Sequence, residues 1–284
     1  MQKNDFHLIS FASSDMKKSL NRLSKQAKKF EFFDTIQMYD DTDLERDFRE
    51  NFSQFLHIGS RGYGYWIWKP TIILKGLSKL KAGESLLYVD AGCHLNVRGK
   101  MRMLDYVRFL DTSEIGILAF QNKNPEAPFN YDGRELLNLP DGDWIKGDLL
   151  DYFDVRYASK ITKTQTIGAG IILVKNIPKA VSFLEDWEEH MQNNLHLLDD
   201  TPSKSPNLVG FCEHRHDQAF FSIMAKNARI PTISSSEYWY PKKNSLEPDW
   251  EALCDFPIHA RRDKKLSMRS KIVRKIQRIY KKFQ

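Results

Sequence analysis

An alternation of apolar and amphipathic segments at the N-terminus constrains the fold most strongly. HLISFA (7–12) has the composition of a buried strand, and residues 16–29 carry apolar side chains at helical spacing among lysines. A second strand is expected at 33–39 and a second helix at 40–56. Because strands that alternate with helices are typical of a mostly parallel sheet covered by helices, we predict an α/β fold.

The same alternation continues along the chain. Further strands are expected at 85–90, 114–120 and 167–175, and further helices at 71–80, 100–110, 146–153, 178–193 and 216–227. A chain of 284 residues can bury one substantial core. We therefore predict a main domain over 1–265 and a separate tail over 266–284.

The composition excludes several classes of protein. An apolar fraction of 41% is too high for a disordered chain, and no run of eighteen apolar residues is present to span a membrane. The N-terminus is interpreted as a first strand rather than a signal peptide. Cys93, Cys212 and Cys254 are widely spaced and odd in number, which argues for a reducing, cytoplasmic compartment and against a disulfide framework.

The positive charge is concentrated in the tail. Eleven Lys or Arg and one acidic residue lie between Arg261 and the C-terminus, whereas the rest of the chain is mildly acidic. Apolar side chains recur at the helical period in 272–283, a pattern typical of an interfacial helix drawn to anionic lipid. We expect a peripheral association with the inner face of the plasma membrane; a helix docked on the body is the alternative. Nucleic acid is not expected, since no motif for it is present.

The sharpest local motif is LLYVDAGCHLN, in which an apolar strand ends on Asp90. Open α/β sheets bind ligands in the crevice beyond their strand ends, so Asp90 is a candidate ligand-binding carboxylate. Ala91 and Gly92 would leave room for a phosphate or ribose. The alternative is an aspartate that only ends a strand and starts a turn.

Three later features add candidates. Gly168, Ala169 and Gly170 open the strand IGAGIILVK and allow close approach of a ligand, although tight strand packing explains them equally well. Asp217 and Gln218 begin a helix beside its positive end, where Asp217 could also be a simple N-cap. His259 follows an apolar pair in PIHARR, and a lone histidine is more often packed than ligating.

In this order, the four motifs resemble the GT-A glycosyltransferases, especially the bacterial surface-polysaccharide and galactosyltransferase-like branches, over residues 5–262. The resemblance implies a GT-A-like, Rossmann-type fold. It also implies that Asp90 reaches the donor ribose and a metal, that Asp217 and Gln218 face the transferred sugar, and that Lys69 lies near the diphosphate. His259 would complete the metal site.

One departure from that family pattern concerns the metal. The second aspartate of Asp-x-Asp is missing, because Asp90 is followed by Ala91 and Gly92. Either Asp90, His259 and the diphosphate bind Mn²⁺ or Mg²⁺, or His94 substitutes, or no metal is needed. A histidine ligand favours Mn²⁺.

The resemblance implies a hexosyltransferase that uses a nucleotide-sugar, which would be UDP-linked, with galactose as a candidate sugar. The acceptor would be a glycan or lipid-linked saccharide of capsule or lipopolysaccharide assembly. The charge of the leaving diphosphate calls for a metal or for basic groups, with Lys69, Arg261 and Arg262 as candidates. Asp217 would stabilise the oxocarbenium ion or accept the acceptor's proton. Four aromatic residues suit stacking on a base or sugar, with core packing expected for at least two: Tyr63, Tyr65, Trp66 and Trp68.

Two other functions compete with this one. A nucleotidyltransferase that makes nucleotide-sugars would need a glycine-rich basic loop after the first strand, where this chain has FASSDMKK. A peripheral membrane or RNA-binding module would explain the basic tail. It would leave the ordered motifs of the body unexplained.

Overall fold

The computed structural model describes residues 5–123, 130–131, 134–135, 140–242 and 247–261. The elements up to residue 135 are β1 (Phe6–Phe11), α1 (Lys17–Phe30), β2 (Thr35–Tyr39), α2 (Arg46–Asn51), α3 (Gly62–Tyr65), α4 (Lys69–Leu77), β3 (Ser85–Val89), β4 (His94–Leu95), α5 (Lys100–Asp111), β5 (Ile117–Gln121), β6 (Asn130–Tyr131) and β7 (Arg134–Glu135). Those that follow are α6 (Asp141–Trp144), α7 (Gly147–Tyr152), α8 (Ser159–Thr162), β8 (Ile167–Lys175), α9 (Pro178–Asn193), α10 (Leu195–Leu198), α11 (Asp217–Asn227), β9 (Thr232–Ser234) and β10 (Ile258–His259).

In the part of the chain that the structure describes, six strands form the central sheet in the order β2-β1-β3-β8-β5-β9. β1 pairs in parallel with β2 and β3, and β5 pairs in parallel with β9. β8 runs antiparallel to both of its neighbours, β3 and β5. The mostly parallel α/β sheet is confirmed. The reversal of β8 places the beginning of that strand at the edge where the parallel strands end.

Both faces of the sheet are buried. Successive residues of a strand point to opposite faces, so each strand contributes side chains to both. In β3, Leu86 and Tyr88 belong to the core on one face, whereas Leu87 and Val89 belong to the core on the other. The first core is covered by α4, α9 and α11, and the second by α1 and α5. Helices therefore cover the sheet on both sides, as the strand composition predicts.

The predicted helix at 40–56 differs most from the structure. Asp40 caps a 3₁₀ turn at Asp41–Asp43, with its side chain accepting from the Thr42 N–H, and Leu44 is extended. Only Arg46–Asn51 is α-helical. The side-chain cap competes with the helix for backbone groups, which shortens the helix.

Among the residues that the structure describes, no helix is both long and apolar enough to cross a bilayer. Arg262 and the tail at 266–284 lie outside the described residues. The boundary between domain and tail stays a prediction.

Candidate functional site

The first and second motifs meet at the carboxyl-terminal edge of the sheet. Asp90 directly follows β3, and its N–H donates to the carbonyl oxygen of Gly170 at 2.8 Å. β8 begins at this edge, since it runs antiparallel to β3. Asp90 therefore lies against the small residues of the IGAG segment, as a site built from both motifs requires.

Lys69 joins Asp90 to the third motif. Its Nζ lies 2.5 Å from Oδ2 of Asp217 and 3.4 Å from Oδ1 of Asp90. Lys69 begins α4 and Asp217 begins α11, so two helix starts converge on the end of β3. Lys69 is 2% exposed and Asp217 4%, whereas the Asp90 side chain is 36% exposed. The structure thus brings three predicted site residues together, with Asp90 as their most accessible member.

Burial and charge set the protonation of this cluster. Burial raises the pKa of Asp217 to about 6, and the positive charge of Lys69 opposes that shift. Burial lowers the pKa of Lys69, but the carboxylates of Asp217 and Asp90 outweigh it, so the net direction is upward. At neutral pH, above its pKa, Asp217 is therefore a carboxylate paired with the Lys69 ammonium.

Tyr88 is a site residue that the sequence interpretation missed. Its hydroxyl donates to Oδ1 of Asp90 at 2.7 Å. Burial, and then the charge of Asp90, raise the pKa of Tyr88 well above its ordinary value, so the phenol remains a donor. Residues two apart in a strand point to the same face, so the spacing in Tyr-Val-Asp was an available signal.

Gly170 gives Asp90 its space. A Cβ built on Gly170 would lie 2.8 Å from Oδ2 of Asp90, whereas one built on Gly92 would meet nothing within 4 Å. We expect Gly170→Ala to lower the free energy of unfolding by about 1–3 kcal/mol by overpacking. Gly92→Ala should leave it within about 0.5 kcal/mol of wild type. Urea unfolding of the two variants checks this; equal stabilities would contradict the close approach of Gly170 to Asp90.

A run of left-handed backbone conformations borders the cluster. Tyr63, Tyr65 and Trp66 have φ of 51°, 55° and 61°, and His216, directly before Asp217, has φ of 52°. The rings of Tyr65 and Trp66 lie 4.9 and 5.9 Å from the His216 ring. Non-glycine residues adopt this conformation at a cost of order 1–3 kcal/mol each, and such residues cluster at functional sites. The strain here lies next to Lys69 and Asp217 in the chain.

Two of the four aromatic candidates, Trp68 and Trp66, lie in different surroundings. Trp68 is buried against Phe11, with ring centroids 4.0 Å apart, and its Nε1 donates to the Gly62 carbonyl at 3.1 Å. Trp66 is half-buried, and the Nζ of Lys69 lies 5.8 Å from its ring centroid. Core packing therefore accounts for Trp68, whereas Trp66 lies beside the charged cluster.

His259 lies in a two-stranded sheet, β10-β4, that is distinct from the central sheet. It pairs with His94 across β4 and β10, and its Nε2 hydrogen-bonds the Leu253 carbonyl at 2.8 Å. Its ring stacks on Trp250 with a centroid distance of 5.6 Å. Burial lowers the pKa of His259, so its imidazole is neutral at physiological pH. The hydrogen bond and the stacking fit a packed histidine.

The donor atoms near Asp90 fit a divalent metal poorly. Lys69 and Tyr88 both contact Oδ1 of Asp90, and Nε2 of His259 is engaged by Leu253. Within the described parts of the chain, no three His, Cys, Asp or Glu side chains gather closely enough to hold a metal ion. Mn²⁺ or Mg²⁺ at Asp90 and His259 stays a prediction.

Four further candidate residues are buried or contact other side chains. Ala91 and Ala169 are buried, Ala169 within the core on the α11 side of the sheet. Nε2 of Gln218 lies 3.4 Å from Oγ1 of Thr166. The guanidinium of Arg261 lies 4.5 Å from the centroid of the Trp250 ring. Tight packing thus explains Ala169, and Arg261 belongs with His259 to the stack on Trp250.

No protein-family model and no curated protein sequence matches the chain. A glycosyltransferase involved in glycosylation of the major capsid of PBCV-1 is 10% identical, with 95% of this chain and 98% of that chain covered and a TM-score of 0.48. Galactosyltransferase LgtC, with donor and acceptor sugar analogues, is 9% identical, with coverages of 92% and 88% and a TM-score of 0.43. Mouse xyloside xylosyltransferase 1 is 11% identical, with coverages of 82% and 86% and a TM-score of 0.40. At such values, any functional conclusion rests on the site itself.

Proposed function

We propose that this protein is a glycosyltransferase that moves a hexose from a nucleotide-sugar donor to an acceptor hydroxyl. The observation that carries the proposal is the contact of one buried ammonium, Lys69, with two carboxylates, Asp90 and Asp217, at the carboxyl-terminal edge of the sheet. Ligands of open α/β sheets bind at this edge. The exposed part of Asp90 gives a donor access to the cluster.

The charge of the cluster suits glycosyl transfer. As the bond to the diphosphate breaks, the anomeric carbon becomes positive, and carboxylates held in fixed positions beside it stabilise that charge. Lys69 keeps the two carboxylates together, since without it they would repel each other. The cluster therefore favours the transition state over the neutral ground-state sugar.

Asp217 is proposed to accept the proton when the acceptor attacks from the face opposite the leaving group. The bond between the anomeric carbon and the phosphate oxygen breaks, and the nucleoside diphosphate leaves with the electron pair. The acceptor oxygen bonds to the carbon, and its proton passes to the Asp217 carboxylate. A pKa of about 6 makes that carboxylate ionised at neutral pH and basic enough to serve.

The donor is proposed to be UDP-linked, with galactose among its candidate sugars, and Asp90 to contact it. Gly92 offers open space beside Asp90 for the donor. Because Asp217 and Asp90 already balance the charge of Lys69, the leaving diphosphate needs a further cation. Arg261 is proposed to supply that charge. The acceptor is proposed to be a glycan or lipid-linked saccharide of surface-polysaccharide assembly.

The test is a thermal-shift panel of nucleotide-sugars with and without Mn²⁺, followed by measurement of nucleoside diphosphate release. A true donor at a hundred times its Kd should stabilise the fold by about 2.7 kcal/mol. Asp90→Asn should remain folded and lose transfer by about a hundredfold or more, the scale of one charge-stabilising group. Near-normal turnover of Asp90→Asn would remove Asp90 from the site. A panel in which no nucleotide-sugar stabilises or reacts would overturn the function.

We also propose that the basic tail brings the enzyme to an anionic membrane face, where a lipid-linked acceptor would lie. The support is eleven basic residues against one acidic residue from Arg261 onward. Each basic residue near such a surface contributes about 1 kcal/mol, and added salt weakens the attraction. Removing 268–284 should abolish salt-sensitive binding to phosphatidylserine vesicles and spare transfer to a small water-soluble acceptor. Unfolding of the shortened chain would favour a helix docked on the body.

A further inference from the structure

Helix α1 contacts the turn that carries Asp90. The guanidinium of Arg22 donates to the carbonyl oxygens of Ala91 and Cys93, each at 2.8 Å. The turn itself is closed by a hydrogen bond of 2.8 Å from the Cys93 N–H to the Asp90 carbonyl. Two carbonyls of one tight turn thus converge on a single planar cation from a helix about seventy residues earlier.

Gln26, one helical turn after Arg22, holds the next part of the same segment. Its Oε1 accepts from the Leu95 N–H at 3.2 Å and from Arg22 at 2.9 Å. Its Nε2 lies 3.2 Å from Nδ1 of His94. Residues 91–95 are therefore held from α1 at several points. Because α1 buries its apolar face against the sheet, these contacts tie the turn to the core.

We propose that Arg22 is a positioning residue that fixes the Asp90 carboxylate relative to Lys69. The proposal rests on the proposed function, because Asp90, the carboxylate that Arg22 would hold in place, is the group proposed there to contact the donor. The planar guanidinium donates to both carbonyls at once, whereas the single ammonium of a lysine cannot reproduce that fork. A displacement of about 1 Å in a catalytic group can reduce a rate by about a hundredfold.

Cys93 provides a readout that does not depend on catalysis. Its side chain is buried in the same turn, 6% exposed, so its thiol reacts only when the turn opens. With Cys212 and Cys254 replaced by serine, Cys93 is the remaining thiol of the chain. The labelling rate of Cys93 by a thiol reagent then measures how firmly the turn is held.

The experiment compares Arg22→Gln with Lys25→Gln, which removes an exposed charge from the same helix. Arg22→Gln should label Cys93 about tenfold faster, equivalent to about 1.4 kcal/mol of easier opening. Its kcat should fall by about 10- to 100-fold, with the donor KM changed less than about threefold. Arg22→Lys should lie between Arg22→Gln and wild type in both measurements. Lys25→Gln should match wild type in both.

Unchanged labelling in a folded Arg22→Gln variant would overturn the proposal, as would faster labelling with full activity. If Arg22→Gln fails to fold, the same measurements are made on Arg22→Lys. A labelling rate and a kcat of Arg22→Lys equal to those of the wild type would then overturn the proposal. If the wild-type protein transfers no sugar, the proposed function fails. The labelling of Cys93 still shows whether Arg22 holds the turn.

Discussion

Replacing Asp217 by asparagine is expected to reduce the rate of transfer by about a thousandfold, within the range for loss of a general base. The nucleotide Kd should change by less than about threefold, because the carboxylate acts on the transition state rather than on the bound nucleotide. Single-turnover kinetics and nucleotide titration separate these two quantities. Asp47→Asn, an exposed acidic residue in the first turn of α2, is the matched control and should retain full activity.

The pH profile of the wild-type enzyme tests the same role. Because the base must be ionised, kcat/KM should fall with decreasing pH through about 6, the pKa that burial gives Asp217.

Loss of nucleotide affinity in Asp217→Asn would make this residue a nucleotide ligand. Loss of stability by about 1 kcal/mol with full activity would make it only a helix-terminal carboxylate.

Replacing Lys69 by methionine is expected to destabilise the protein by about 3–5 kcal/mol, because it leaves Asp217 buried without its cation. The pKa of Asp217 should then rise further above 6, since Lys69 opposes the effect of burial. A raised carboxyl pKa means that the folded state binds more protons than the unfolded state. Stability is therefore lost as pH rises above the unfolded pKa of about 3.9, up to the folded pKa.

Urea unfolding between pH 4.5 and 8 measures this effect. The deficit of Lys69→Met relative to wild type should be largest at pH 8 and smaller at pH 4.5, and the acidic limb of its residual activity should move above pH 6. Lys226→Met is the matched control. It breaks a buried pair with Asp141 of the same 2.5 Å length, near the end of α11 that is opposite to Asp217. Lys226→Met should destabilise the fold without moving the acidic limb of the pH profile of activity. A loss of stability in Lys69→Met that does not change with pH would contradict the coupling to Asp217.

The sequence predicted one strand and the helix that follows it with the bounds that they have in the structure. Residues 167–175 and 178–193 have these bounds in the structure as β8 and α9, and α11 begins one residue after the expected start. The segment at 40–56 failed because a side-chain cap at Asp40 outweighed its helical periodicity. The chemistry of strand ends made Asp90 a candidate, and helix-start chemistry made Asp217 one; the structure brings both to Lys69, and their roles in transfer stay predictions.

The sequence by itself thus determined which residues end strands or begin helices, because hydrophobic periodicity and capping act over a few neighbouring residues. Only the tertiary structure decided which of those ends meet. The ion pair of Lys69 with Asp217, the contact of Asp90 with Gly170 and the Arg22 contacts to the turn follow from strand order and from the reversal of β8. Packing of the whole sheet determines that order, and no local pattern of residues encodes it.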